Sequence, residues 1–458
     1  MNWAAEEFKT LNLDDARLNA RAVLLAERLS NKPTESIPGA CHGWAETQAA
    51  YRLLSNAKTS WQALLEPHWA NSIERMRHHP VVLNIQDTTE LNFNGRQTAG
   101  LGPLSYDAQR GLYLHPSYVI TPAREPLGVL DAWIWAREPK NADGVRDDVK
   151  ESTRWIEGYE RVAERASALP QTRQVYVADR EADILALLIK ARDLGHAADY
   201  LIRCQHNRAL PGGGKLWTRL EQAQPLGNIT FSLPAGRGRK ARTVTQRLRA
   251  ERIELKGTAD NLPVTFLLAE EINPPAGVKP VVWRLLSNRA AENLEQAVEL
   301  IDWYRARWEI ELFFLILKEG CRIEALQLGE VERIENALAL YLVVSWRINR
   351  LMRLGRSLPD LPADLLFEAD EWRAAYILNK KRPPKETPSL NAVVKLIHNW
   401  AASLGEKEMA NRGPRRCGLG YVTLLCALRG CVSLVSCCST MCVRGWPQPP
   451  FAARVGYL

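Results

Sequence analysis

The last 50 residues of this 458-residue chain contain no acid: residues 409–458 hold six Arg and no Lys, Asp or Glu. Without them the net charge of +8 falls to +2 over residues 1–408, so global basicity does not argue for a polyanionic partner. Long apolar runs are also missing. The best candidate, residues 421–443, is split by Arg429 into pieces of 8 and 14 residues, short of the roughly 20 that a membrane hairpin would need for each pass. The opening Met1-Asn-Trp-Ala-Ala-Glu-Glu is acidic and lacks an apolar core, so no secretory signal is expected and cytoplasmic residence is the default. Six of the nine Cys crowd between Cys417 and Cys442, yet no C-x2-C pair and no His stands among them. This argues against a zinc site, and a cytoplasmic disulfide framework is not expected. The glycines of Pro211-Gly-Gly-Gly-Lys215 fail the phosphate-loop template, because Ala209 and Leu216 stand where Gly and Ser or Thr are needed. His78-His79 has no metal-binding companion at a useful spacing.

Among what is present, the segment from Tyr304 to Lys318 is the most informative. Tyr304, Arg307, Glu311 and Lys318 sit within an apolar run that includes Trp308, Ile310, Leu312, Phe313, Phe314, Leu315, Ile316 and Leu317. On one continuous helix, at about 100° per residue, all four share an arc of about 60°. So apolar a helix is expected to be buried on most sides. A phenol, a guanidinium, a carboxylate and an ammonium on one buried stripe need satisfaction. A metal ion with a phosphate backbone would supply it; an Arg307–Glu311 ion pair on a solvated stripe is the simpler alternative. Two more acids end apolar, β-branched runs: Asp87 after Val81-Val-Leu-Asn-Ile-Gln, and Asp179 after Val175-Tyr-Val-Ala. Each reads as an Asp delivered at the C-terminal end of a buried strand. Two such Asp and a helix-borne Glu could hold two divalent cations through hard carboxylate oxygens. Taken singly, a strand-end Asp is more often a turn or cap residue.

These residues carry a resemblance. The spacing Y-x2-R-x3-E-x6-K at Tyr304, Arg307, Glu311 and Lys318, the block Asp87-Thr88-Thr89 and the run Asp179-Arg180-Glu181-Ala182-Asp183 resemble the motifs of DDE transposases of the insertion-sequence-four class, over roughly residues 1–400. The resemblance implies an RNase H-like α/β core with an inserted β subdomain, an N-terminal helical domain and a C-terminal helical segment. It implies Asp87, Asp179 and Glu311 as catalytic ligands of two Mg²⁺ ions. Tyr304, Arg307, Lys318 and Arg180 would contact phosphate or DNA, and Trp283 would stack on a flipped base. The implied activity is cut-and-paste transposition, with strand hydrolysis, hairpin formation and strand transfer. The implied partners are double-stranded DNA, as terminal repeats and target, and a second copy of the chain; no membrane is involved.

Along the chain, residues 1–75 read as a helical end-recognition domain with Arg17, Arg21 and Arg52 as contacts, assigned by position and likeness because nine acids and eight bases leave no charge signal. Asp14 and Asp15 suit the N-terminal turn of one helix, and a second runs from Glu46 to Leu54. Residues 76–200 are expected to form the first part of the core, with strands at 112–120 and 128–136 and a polar connection at 137–148. Residues 201–282 form the β insertion, with strands at 229–233, 243–255 and 263–268. From Arg203 to Lys256 twelve Lys and Arg face three Glu, a net +9. Arg237, Arg239, Lys240 and Arg242 are therefore expected to form a solvent-facing rim that tracks phosphate. Residues 283–370 complete the core, with a helix at 336–354 that carries Arg347, Arg350 and Arg353. Residues 371–408 form the C-terminal helical segment, and 409–458 an anomalous tail. Its composition suggests out-of-frame translation beginning between about Asn399 and Asn411, so an end-binding remnant with defective subunit pairing is the alternative to an active enzyme.

Overall fold

The computed structural model describes residues 3–397 apart from 142–149, 234–239, 258–259 and 368, together with residue 399. Five helices come first: α1 (Trp3–Glu7), α2 (Ala16–Asn31), α3 (Ile37–Ala40), α4 (Trp44–Leu54) and α5 (Trp61–Met76). Asp15 caps α2 by accepting from the Arg17 N–H, as its place ahead of the apolar periodicity predicts. Strands β1 (Val81–Gln86), β2 (Thr89–Asn92), β3 (Gly102–Pro103), β4 (Arg110–Ile120) and β5 (Pro126–Trp135) follow, then α6 (Glu151–Ala168), β6 (Arg173–Ala178), α7 (Leu185–Asp193) and β7 (Asp199–Arg203). After α8 (Leu216–Glu221) come β8 (Pro225–Leu233), β9 (Arg242–Leu255), β10 (Leu262–Glu271) and β11 (Val282–Ser287). Helices α9 (Leu294–Ala306), α10 (Glu309–Leu315), α11 (Val331–Ser357) and α12 (Ala369–Leu378) complete the elements, with further helical residues at 390–397.

The strands share one mixed sheet. β1 and β2 lie end to end along one edge of β4, and β5 lies along the other. β1, β6 and β7 are parallel, and β11, β10, β9 and β8 continue the sheet antiparallel. One expectation is corrected here. β7 is a strand of the central sheet that the sequence reading passed over, its five residues being too few to show periodicity. The strands expected as an insertion extend the same sheet through the β10–β11 ladder. The 409–458 tail and the 421–443 stretch lie outside the described residues. Among the described residues, no helix is long and apolar enough to cross a membrane.

Helix α11 is almost entirely apolar from Ala337 to Trp346 and buried throughout that stretch. It joins the N-terminal helices to the sheet in one continuous core, in which Ala4, Leu25, Leu53, Ile85, Phe313 and Val343 all take part. Three of the five arginines of α11 point inward: Arg347 to the Ser30 hydroxyl, Arg350 to Glu125 and the Pro126 carbonyl, Arg353 to Glu309. Polar bonds fasten the same junction. Glu7 of α1 accepts from both Arg75 nitrogens at 3.0 and 3.1 Å and pairs with His68 Nδ1 at 2.5 Å, and His68 Nε2 accepts the Val129 N–H of β5. His68 is therefore the Nδ1–H tautomer, donating to the carboxylate.

Burial alone would raise the Glu7 pKa, but His68 and Arg75 outweigh it and hold the carboxyl at about 2, from 4.5. A depressed carboxyl contributes stability above its unfolded pKa and loses it as pH falls toward the folded value. Glu7→Gln is therefore expected to cost about 3 kcal/mol at pH 7, and the gap to wild type should narrow between pH 4.5 and pH 2. Urea midpoints across that range provide the check; coincident curves at pH 7 would contradict it.

Candidate active site

Parallel strands β1 and β6 run in register, with Gln86 opposite Ala178. The next residue of each, Asp87 and Asp179, therefore emerges side by side at the C-terminal end of the sheet, where parallel-sheet sites form. Glu311 comes to the same place on α10. Neighbouring Glu309 is buried against Arg353 of α11, Phe313 stacks on Tyr118 of β4 with ring centroids 4.6 Å apart, and Asn349 donates to the Tyr118 hydroxyl. These contacts set the rotation of α10 and leave the Glu311 side chain half-exposed at the cluster.

One guanidinium joins the three acids. Arg307 Nη1 lies 2.6 Å from Asp87 Oδ2 and 3.8 Å from Glu311 Oε1, and Nη2 lies 3.6 Å from Asp179 Oδ2. The Tyr304 hydroxyl donates to Asp179 Oδ1 at 3.2 Å, and Arg203 stands 3.5 Å from the same oxygen. Burial lifts Asp87 to about 6 against the pull of Arg307, helped by Glu311 and Asp179. Burial acts upward on Asp179 too, but Arg307, the Arg180 N–H and Arg203 together bring it below its ordinary value. Burial and the Asp179 charge raise Tyr304 to about 12, so it remains a phenol. Burial lowers the half-buried Lys318, against attraction from Glu324, Glu90 and Glu311.

The single helix expected from Tyr304 to Lys318 is interrupted twice. α9 ends at Ala306, and i→i−3 bonds tighten the chain at Arg307 and Trp308. After α10, residues Ile316–Gly320 form a π turn closed by the Cys321 N–H on the Ile316 carbonyl. The calculated 60° arc therefore does not describe the observed directions. The tight turn leaves Trp308 half-exposed beside Arg307 instead of buried, and the π turn re-aims Lys318. Irregular turns of this kind recur at functional sites.

Trp283, on β11, stacks on Phe231 at 5.6 Å and meets the edge of Tyr304 at 6.1 Å, which sets it next to the cluster. Arg180 is exposed and lines a cleft of about 180 Å³ with Arg203, Arg284 and Trp217. Sequence reading missed Arg203 because β7 was missed; an Arg ending the strand beside Asp179 was the available signal. Arg17 and Arg52 are exposed and Arg21 half-exposed, all on α2 and α4, away from the sheet. Arg237 and Arg239 lie outside the described residues. Lys240 is exposed, but Arg242 departs from the expected rim: it is ion-paired with buried Glu271, its Nη2 2.9 Å from the carboxylate. The +9 is also paired elsewhere, Arg208 with Asp183, Arg219 with Glu251 and Arg249 with Glu270. Counting charge along the sequence overlooked acids that the fold brings in from Asp183, Glu270 and Glu271.

Comparison with known families supplies the class. A model of the transposase DDE domain matches residues 146–346, and the chain is a DDE transposase. A transposase DNA-binding model matches residues 1–59 and a Tn5 transposase dimerisation model residues 343–439, so the chain belongs to the Tn5-like DDE transposases. Asp87 lies ahead of the DDE match, and the dimerisation match passes through residues 399–411 and on into the Cys-rich segment. Among solved structures, the cryo-EM structure of a piggyBac transposase synaptic complex with hairpin DNA matches at 9% identity and a TM-score of 0.33, over 81% of this chain and 61% of that one. The match thus spans about three-fifths of that chain's length.

Among the described residues, no three acid, His or Cys side chains close around one point that could hold an ion; Arg307 stands between the acids instead. The donor set still suits a hard divalent cation: two largely buried carboxylates and the half-exposed Glu311 lie around one guanidinium, and burial holds the Asp87 carboxyl above its ordinary range. Removing Arg307 should leave these acids uncompensated. Arg307→Met is expected to lower stability by about 3–5 kcal/mol in EDTA, and Asp87→Asn in the same background should recover part of the loss. Urea midpoints measure both; an Arg307→Met protein as stable as wild type would show that the guanidinium does not hold the cluster.

Proposed function

We propose that this chain is a cut-and-paste DNA transposase that uses Asp87, Asp179 and Glu311 as its metal-binding acids within an RNase H-like core. The observation that carries the reading is the convergence of two adjacent strand-end Asp and a helix-borne Glu on one guanidinium. The five strands β5, β4, β1, β6 and β7, which stand third, second, first, fourth and fifth in chain order among themselves, support the fold assignment. A pair of magnesium ions bound there would activate the attacking oxygen and stabilise the leaving 3′-oxygen.

The chain's own residues divide the remaining work. Arg307, which holds the acids together in this structure, would turn its planar fork to a DNA phosphate once the carboxylates are otherwise neutralised. Tyr304, a phenol at any physiological pH, would donate to a phosphate oxygen. Lys318, partly desolvated, is suited to a point contact on the next phosphate. Trp283, covered by Phe231 on one face, would offer the other to a base swung out of the helix, which would relieve strain at a hairpin end. Arg180 extends the basic surface beyond Asp179. Arg17, Arg21 and Arg52 would contact the terminal repeat, and a second copy would join through the region of the dimerisation match.

The test is cleavage of end-bearing DNA by purified protein with Mg²⁺. Glu311→Gln is expected to reduce strand cleavage at least a thousandfold while leaving end binding in EDTA within about twofold of wild type. Cleavage by the variant at a wild-type rate would remove Glu311 from the site.

A further inference from the structure

Asp87 sits where the sheet does not hold it. β1 stops at Gln86 and β2 begins at Thr89, so Asp87 and Thr88 form a two-residue jog outside the ladders on either side. Side chains hold this jog instead. The Thr88 N–H donates to Asp87 Oδ1 at 2.9 Å, which leaves Oδ2 toward Arg307. The Thr88 hydroxyl lies 2.8 Å from His115 Nδ1, and His115 Nε2 lies 2.9 Å from Gln86 Oε1. A carbonyl oxygen on Nε2 means that Nε2 carries the proton, so bare Nδ1 accepts from Thr88.

His115 is fully buried on β4, and burial with the charge of Arg154 pushes its pKa down to about 3, so the ring is neutral. Trp155 meets it edge-on at 4.6 Å and Trp133 at 5.6 Å, which fixes the plane of the ring. Gln86 is fixed in turn. A Cβ on Gly158 of α6 would lie 1.9 Å from Gln86 Oε1, so the absence of a side chain there makes room for the amide. A neutral buried imidazole with both nitrogens hydrogen-bonded and aromatic contacts on its ring is held in one orientation, as fully satisfied buried polar networks are.

We infer that His115 is a positioning residue for the transposase reaction: through the Thr88 hydroxyl it fixes the Asp87–Thr88 jog and so aims the Asp87 carboxylate into the acid cluster. The inference rests on Asp87 being a metal ligand. Outer-shell bonds of this kind set the orientation of a ligand, and their loss typically weakens metal binding about 10–100-fold.

The experiment is Mn²⁺ binding to the full-length, metal-free protein, followed by calorimetry, with the urea midpoint and end-DNA binding in EDTA measured alongside. His115→Phe keeps a ring between the two tryptophans and removes both nitrogens. Thr88→Val removes the hydroxyl from a half-buried site and stands in if the core variant does not fold. Each is expected to weaken Mn²⁺ binding by about tenfold or more, the double variant no further than either single, with DNA binding unchanged. Thr88→Ser, which restores the hydroxyl, should restore affinity. Losses that add in the double variant, unchanged affinity in Thr88→Val, or weak binding by Thr88→Ser would each overturn the inference. Asp87→Ala separates the two levels. If it binds Mn²⁺ as wild type does, or wild type binds none, the ligand assignment fails and the inference with it. If Asp87→Ala loses binding while His115→Phe and Thr88→Val keep it, only the inference fails.

Discussion

The cluster depends on one constraint: three carboxylates cannot be brought together at a site where two of them are largely buried without a cation. Here the cation is Arg307, and much of the local architecture follows from seating it. The tight turn that ends α9 carries Arg307 to the strand ends, the Glu309–Arg353 pair and the Phe313–Tyr118 stack fix α10 so that Glu311 meets it, and the register of β1 with β6 puts the two Asp side by side. Even so, the guanidinium does not offset the burial of Asp87, whose carboxyl stays above the ordinary carboxylate range.

Much of this was legible in the sequence. Apolar β-branched runs ending in Asp located β1 and β6, because parallel strands buried on both faces leave little alternation to misread. The spacing of Tyr304, Arg307, Glu311 and Lys318 located the helical part of the site. What was not legible was geometry set by hydrogen bonding within the backbone. Nothing in Arg-Trp-Glu-Ile signals an i→i−3 turn, and nothing in Ile-Leu-Lys-Glu-Gly signals a π turn, so a uniform 100° rotation misplaced Trp308 and Lys318. β7 was lost for a simpler reason: five residues between a helix and a loop are too short a window for periodicity.

Charge was the least readable property. The excess of Lys and Arg between 203 and 256 is real as a count, but strands bring partners from outside the window. Glu271 lies opposite Gln246 across the β9–β10 ladder and reaches Arg242; Asp183 reaches Arg208 from the end of a short helical turn. A linear charge count measures composition, whereas the potential that a nucleic acid meets depends on which charges remain unpaired after folding.

The fastening of α1 to α5 and β5 through Glu7, His68 and Arg75, together with the core shared along α11, builds the N-terminal helices and the sheet that carries the acid cluster on one continuous core. A duplex gripped by those helices would meet the same chain's cluster at a single fixed separation, with no hinge to absorb a base pair more or less. On the function proposed above, the protein body would act as a ruler: the length of the scaffold between grip and blade would set where a strand is cut, and inserting residues into that scaffold would move the cut along the DNA.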